Sequence, residues 1–128
     1  MKGEIDIKVY YEDTDALGTV YYANYFRYYE RGRTELFADH GHAVEDLNER
    51  GVNVLVYHVE ATFRRAGRLG DWLRVTTEMQ ASDSPYRLRL RQVIHRGDEL
   101  INQADVQLVC VDANGTLREF PEELRQLA

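Results

Sequence analysis

Residues 11–37 read YEDTDALGTVYYANYFRYYERGRTELF. Three acids, Glu12, Asp13 and Asp15, cluster around Thr14, and Gly18 supplies the backbone freedom of a turn. From Tyr21 to Asp39 there is neither proline nor a period-2 pattern, and Gly41 follows as a stop, so this segment is expected to be a helix of about five turns. Seven of the chain's 14 aromatic residues (9 Tyr, 4 Phe and 1 Trp) lie between Tyr21 and Phe37. They run most of the way round such a helix, which predicts that protein covers most of its circumference. Gly32, in mid-helix, costs about 1 kcal/mol against alanine, a cost that points to a close approach by a neighbouring element.

Outward from this stretch the texture changes. Ile5, Ile7 and Val9 alternate with polar residues, the period of a half-buried strand over residues 5–11. A short helix follows the long one, over AVEDLNER, with Gly51 as its stop. Four long alternating runs come next: Val54–Phe63, Trp72–Met79, Arg87–Ile94 and Leu100–Cys110. Turn signals at AGRLG, SDSP and RGD separate them. Asn114-Gly115 marks another turn, and Pro121 opens a last short helix. Short connections between four successive strands predict an antiparallel meander, and grouped strands predict α+β architecture. The expectation is a single domain over residues 1–128, with a five-stranded antiparallel sheet curled around one long central helix.

The 128 residues carry a net charge of −6, which argues against a nucleic-acid partner. A hydrophobic fraction of 44% beside 30% charged residues is that of a globular protein. Cys110 is the sole cysteine, so neither an internal disulfide nor a thiolate metal site can form. No run approaches the roughly 18 apolar residues of a membrane span, and the charged start Met1–Lys8 lacks a signal-peptide core. The expected location is the cytoplasm. The four histidines form no metal constellation, and no cofactor is implied.

There is no G-x-S-x-G, and Cys110 lies within a strand, so no obvious serine or cysteine nucleophile is present. Asp15 offers instead a carboxylate just ahead of a helix whose first N–H groups lack intrahelical partners and carry the positive end of the dipole. A carbonyl oxygen set on those amides would be polarised by donors that need no reorganisation. The same residues also read as acids that are solvated or cap the helix.

VYYEDTDALGTVYYANYFRYYERGRTELF (residues 9–37) resembles the signature of hotdog-fold thioesterases of the 4-hydroxybenzoyl-CoA thioesterase type, and is most similar to the Tol-Pal-associated acyl-CoA thioesterases. The shared features are Tyr11, Asp13-Thr14-Asp15, Gly18, Val20-Tyr21-Tyr22, and Glu30 with Arg33. The resemblance continues at Ala66–Asp71 and in INQADVQLVCVD (residues 101–112), and so covers nearly the whole chain. It implies a hotdog domain that hydrolyses acyl-CoA to a carboxylate and free CoA. Asp15 would be the catalytic carboxylate, as nucleophile or general base, and Tyr22 would supply the backbone N–H that polarises the thioester carbonyl. Tyr11 and Gly18 would belong to the pocket. Many Tol-Pal-associated members carry histidine where Tyr22 stands, a change that a backbone role tolerates.

At the turn before the fourth strand of the chain, the run Arg87–Ile94, where relatives carry a basic residue near the CoA 3′-phosphate, this chain has Ser82-Asp83-Ser84-Pro85. Arg64, Arg65 and Arg68 are the alternative phosphate ligands, or else a solvated strand end. Glu30 and Arg33, at i and i+3, are expected to pair with each other. Arg87, Arg89 and Arg91 share one strand face and are expected to meet acids on a neighbouring subunit. The resemblance also implies a homotetramer, a dimer of dimers, with pockets at the subunit boundary to which Glu60 or Thr62 would contribute. Two other functions belong to the same fold: a non-catalytic acyl-binding module, and an acyl hydratase or dehydratase. The latter pairs a histidine with an acid, and no histidine precedes His40.

Overall fold

The computed structural model describes residues 1–128. The chain runs β1 (Lys2–Lys8), a 3-10 turn (Tyr11–Asp13), α1 (Asn24–Asp39), α2 (Val44–Glu49), β2 (Asn53–Phe63), β3 (Trp72–Gln80), β4 (Leu88–Arg96), β5 (Glu99–Val111), β6 (Leu117–Arg118) and α3 (Glu122–Arg125). The alternating runs become strands as their period requires, and the α+β class stands. β1 stops three residues short of Tyr11. Val9 N–H donates instead to Asp71 O at 2.8 Å, and Tyr10 N–H turns to the Asp13 carboxylate at 2.8 Å.

The sheet corrects two expectations. Its strand order is β1-β3-β4-β5-β2, with β6 added on β5, and every pairing is antiparallel. Only β3, β4 and β5 form a meander. β2 lies beyond β5, at the far edge from β1. The connector over residues 64–71 must therefore cross three strand spacings, roughly 14 Å, which a chain of that length can span at about 3.3 Å per residue. A connector this short suits neighbouring strands equally well, so its length gave no warning of the crossover.

Nor does the sheet curl around one central helix. It is open, with β1 and β2 as free edges and six strands where five were expected. α1 packs on one face, against β1 and β3, while α2 contacts α1 and β2. The helix begins at Asn24, so Tyr21 and Tyr22 stand in the turn before it and do not belong to its circumference. What remains has one buried face, formed by Tyr25, Tyr28, Tyr29, Gly32 and Leu36, and exposes Phe26, Arg27, Glu30, Arg31 and Glu35. That is the ordinary stripe of a helix lying on a sheet. Its buried face joins a core of 24 residues that Phe120, Leu124 and Leu127 extend at the C-terminal end.

Beneath α1 lies a small polar network. Gln92 on β4 donates through Nε2 to Tyr29 O at 2.9 Å and to Thr77 Oγ1 at 2.8 Å. Gly32 sits directly above it. A Cβ there would come within 2.7 Å of Thr77 Oγ1, which is the close approach that a mid-helix glycine suggested. Arg33 does not pair with Glu30. Its guanidinium turns inward and donates to Gln92 Oε1 at 2.9 Å, and burial lowers its pKa while the Glu30 charge partly opposes this. Arg91 on β4 pairs with Asp105 of its own chain at 3.5 Å, and Arg87, just before β4, lies over the Tyr57 ring at 3.8 Å. No helix is long and apolar enough to cross a membrane.

Candidate active site

The two aspartates of the D-T-D sequence have separate tasks. Asp13 is buried. Its carboxylate accepts Tyr10 N–H at 2.8 Å and Asn24 Nδ2 at 2.9 Å, and its carbonyl accepts Tyr21 N–H at 2.9 Å. It therefore ties the end of β1 to the start of α1. Asp15 is exposed. Its Oδ1 accepts Leu17 N–H at 2.9 Å, and Thr19 Oγ1 lies 3.2 Å from each carboxylate oxygen. Asp15 N–H donates to Thr19 O at 2.9 Å, closing a turn in which Gly18 takes φ of 75°. The Leu17 N–H holds the Asp15 carboxyl below its usual pKa, with help from Thr19 and against some loss of hydration.

This turn is fastened to the β2–β3 connector. Val20 N–H donates to Gly67 O at 2.8 Å, and Leu69 N–H to Gly18 O at 3.0 Å. Gly67 N–H in turn donates to the Tyr25 hydroxyl at 2.9 Å, linking the connector to α1. Gly67 has no room for a side chain, since a Cβ would meet Val20 Cγ2 at 3.0 Å.

Beside these elements opens a cavity of about 320 Å³, walled by Val20, Tyr22, Tyr25 and Phe63 and rimmed by Arg64, Arg65 and Ala66. Phe63 meets both tyrosines edge-on, at centroid distances of 6.4 Å (Tyr22) and 5.7 Å (Tyr25). The N–H groups of Tyr22 and Ala23, at the threshold of α1, have no acceptor within the chain, whereas those of Tyr21 and Asn24 are both spent. Two unspent amides thus stand at the positive end of a 16-residue helix, against an aromatic wall. A larger cleft, about 370 Å³, is built from different and more polar residues at the Ser82–Pro85 turn and α3. It has no aromatic residue in its lining.

The structure brings Tyr22, Arg64 and Arg65 to one cavity. Gly18 and Arg68 meet nearby through the backbone, where Thr19 and Arg68 form a β-bridge. Tyr11 is 82% exposed and lies outside the cavity wall, as does Asp15. Arg65 already has a carboxylate partner, Glu99, at 3.3 Å, while Arg64 and Arg68 form no ion pair. The reading of the sequence missed Phe63 and Val20 as cavity residues. Phe63 had a signal, as the last apolar residue of an alternating strand directly before two arginines.

The family model described as the thioesterase-like superfamily matches residues 9–127. The acyl-CoA thioester hydrolase YbgC of Escherichia coli O157:H7 is 35% identical over 106 residues, covering 83% of this chain and 79% of that protein. The acyl-CoA thioesterase YbgC of Haemophilus influenzae is 33% identical over 122 residues, covering 93% of this chain and 88% of the relative. Among solved structures, a probable thioesterase from Bartonella henselae superposes with a TM-score of 0.88 at 28% identity, covering 94% of this chain and all (100%) of that one.

Proposed function

Because this chain belongs to the thioesterase-like superfamily, in the branch of the YbgC-type acyl-CoA thioesterases, we propose that it hydrolyses an acyl-CoA thioester to a carboxylate and free CoA, with Asp15 as the reacting carboxylate. The observation that carries this reading is the unspent Tyr22 N–H at the start of α1, beside a cavity with an aromatic wall and an arginine rim. The acyl group lies along Val20, Tyr25 and Phe63, and its carbonyl oxygen accepts the Tyr22 N–H. As the carbonyl carbon becomes tetrahedral, negative charge grows on that oxygen, and the amide and the helix dipole stabilise it without reorganising. Arg64 and Arg68, which have no carboxylate partners, take the CoA phosphates.

Asp15 acts in one of two ways. As general base it removes a proton from water. The hydroxide adds to the carbonyl carbon, the C–S bond breaks, and the CoA thiolate leaves to be protonated. As nucleophile, its carboxylate oxygen adds to the carbonyl carbon and expels the thiolate, and water then cleaves the resulting anhydride. A single turnover in ¹⁸O-water that leaves label on Asp15 identifies the second route, with water adding to the Asp15 carbon of the anhydride; addition to the acyl carbon labels the released acid, as the first route does. Release of free thiol from a panel of short, long and aromatic acyl-CoAs tests the whole reading. No release from any of them would point to an acyl-binding module instead.

Either role requires ionised Asp15. Its depressed pKa means that activity persists above that value and is lost only as pH falls through it. Thr19→Val removes the hydroxyl from the carboxylate and lets the pKa rise. The acidic limb of kcat/KM is therefore expected at higher pH in this variant, with the alkaline limb unmoved. An unchanged acidic limb would show that Asp15 does not govern it.

The proposal extends to a homotetramer. Every residue of β2 is at least partly exposed, including the apolar Leu55, Val56, Tyr57 and Val59, and its outer edge has no partner strand. A long, apolar, unpaired edge is a ready template for a second copy. In this arrangement β2 pairs with β2 of the partner subunit, and two such dimers associate. Sedimentation equilibrium is expected to give four chains for the wild type and smaller species for Val59→Lys. A monomeric wild type would end this part of the proposal.

A further inference from the structure

Arg96, at the end of β4, is far in sequence from the Asp15 turn, yet the connector behind that turn converges on it. One guanidinium nitrogen, Nη1, donates to Asp71 Oδ2 at 2.6 Å and to Ala66 O at 3.1 Å. Nη2 and Nε both donate to Glu99 Oε1, at 2.7 and 3.0 Å. Arg96 and Asp71 are only 29% and 23% exposed at their side chains, so water screens this pair less than it does the surface pairs of the sheet. Asp71 Oδ2 also accepts Arg68 N–H at 2.9 Å, which folds the connector back on itself.

The arginine thus grips the connector at both ends of residues 66–71. Between those grips lie the two backbone groups that fasten the Asp15 turn, Gly67 O to Val20 N–H and Leu69 N–H to Gly18 O. Those two bonds bracket Thr19, whose hydroxyl lies on the Asp15 carboxylate. No regular secondary structure supports the connector; what holds it is this set of contacts, the Tyr25 hydroxyl, Val9 just after β1, and Ile101 O on β5, which accepts the N–H groups of Arg64 and Arg65.

We infer that Arg96 is a positioning residue for Asp15: with Asp71 it fixes the residue 66–71 connector, and the connector fixes the turn that carries the carboxylate. This rests on Asp15 being the reacting group. Arg96 is not part of the cavity wall, so its removal acts on the reaction only through the connector, which fastens the Asp15 turn and also carries Ala66 at the cavity rim and Arg68. Only a guanidinium can donate to Asp71, Ala66 O and Glu99 together; an ammonium can satisfy part of the set.

Arg96→Met, Arg96→Lys and Asp71→Asn are compared with wild type by steady-state thioesterase kinetics and thermal midpoint, with Asp15→Asn in parallel. In Arg96→Met, kcat is expected to fall roughly ten- to a hundredfold, the effect of a misplaced catalytic group, with KM rising by a smaller factor because the connector also carries Arg68. Arg96→Lys is expected to recover part of kcat. Asp71→Asn is expected to lower kcat in the same sense, and combining it with Arg96→Met to add little. Should Arg96→Met fail to fold, the lysine and Asp71→Asn variants carry the test. A kcat within twofold of wild type in folded variants overturns the inference, as does a loss confined to KM. If Asp15→Asn retains full turnover, Asp15 is not the reacting group, and the mechanism and this inference fall while the hydrolase activity stands. If Asp15→Asn is inactive while the Arg96 and Asp71 variants keep kcat, only the role of Arg96 falls.

Discussion

Asp15→Asn is expected to lower thioester hydrolysis by roughly a hundredfold to ten-thousandfold, the range over which a positioned acid or base contributes. The substitution keeps the shape of the side chain and an oxygen that can accept the Leu17 N–H. It removes the negative charge that either route needs, to attack the carbonyl carbon or to take a proton from water. Because Asp15 is exposed and its bonds are local to one turn, the thermal midpoint should stay where it is. Loss of turnover in a fully folded protein, with CoA still able to bind, is the expected result. Undiminished thiol release from Asp15→Asn would remove the mechanism. The neighbouring Asp13→Asn gives a contrast. Asp13 is buried, and its carboxylate has two donors, Tyr10 N–H and Asn24 Nδ2, so its loss acts through folding of the loop and lowers the thermal midpoint.

The largest stability effect is expected at Gly32. Alanine in a helix interior ordinarily gains about 1 kcal/mol over glycine. Here the added Cβ would come within 2.7 Å of Thr77 Oγ1, 3.1 Å of Val75 Cγ1 and 3.2 Å of Gln92 Nε2. Thr77 cannot swing aside cheaply, since it is β-branched and its hydroxyl accepts Gln92 Nε2 at 2.8 Å. Moving it strains a network that also holds Tyr29 O and Arg33. Overpacking of this kind costs about 1 to 3 kcal/mol, so Gly32→Ala should be net destabilising despite its helix propensity. Gly32→Val should cost more. Chemical denaturation checks both, and Thr77→Ala in the Gly32→Ala background should return part of the loss by vacating the contact. A Gly32→Ala protein more stable than wild type would show that helix propensity, and not the sheet below, governs this position.

Gly32 also illustrates how far local pattern reaches. A glycine in a helix without proline is costly on its own terms, so the sequence pointed to a close neighbour. It could not name Thr77 or Gln92, because both lie on strands brought beneath the helix by the sheet. The strands were legible for a similar reason. Alternation of Leu73, Val75, Thr77 and Met79, or of Leu88, Leu90 and Ile94, is a property of each strand and one buried face. The order in which the strands lie beside one another is a property of the whole sheet, and the local pattern of β2 does not reveal it. Leu55, Tyr57 and Val59 alternate like core residues, yet β2 has no buried residue and ends at the sheet's edge. An apolar strand at an open sheet edge has the same pattern as one facing its own core.

The helix was misjudged at its start. Reading Tyr21 and Tyr22 as helical wrapped the aromatic residues around α1 and led to a sheet curled about it. Placed in the preceding turn, they leave an amphipathic helix on one face of an open sheet, and the Tyr22 N–H is free as a result. Glu30 and Arg33 had the right spacing to pair, but burial of Gln92 under α1 supplied Arg33 with an inward acceptor that no spacing rule contains.

By itself, the sequence determined the five longer strands and the three α-helices, the acidic turn before α1, and through its motif the family and the identity of Asp15 and Tyr22 as candidates. These are matters of period, turn chemistry and short-range spacing, which a chain carries locally. Only the tertiary structure decided the crossover of β2, the division of labour between Asp13 and Asp15, the entry of Phe63 into the cavity, and the grip of Arg96 on the connector. Each of these depends on contacts between residues distant in the chain, whose existence is set by how the whole core closes.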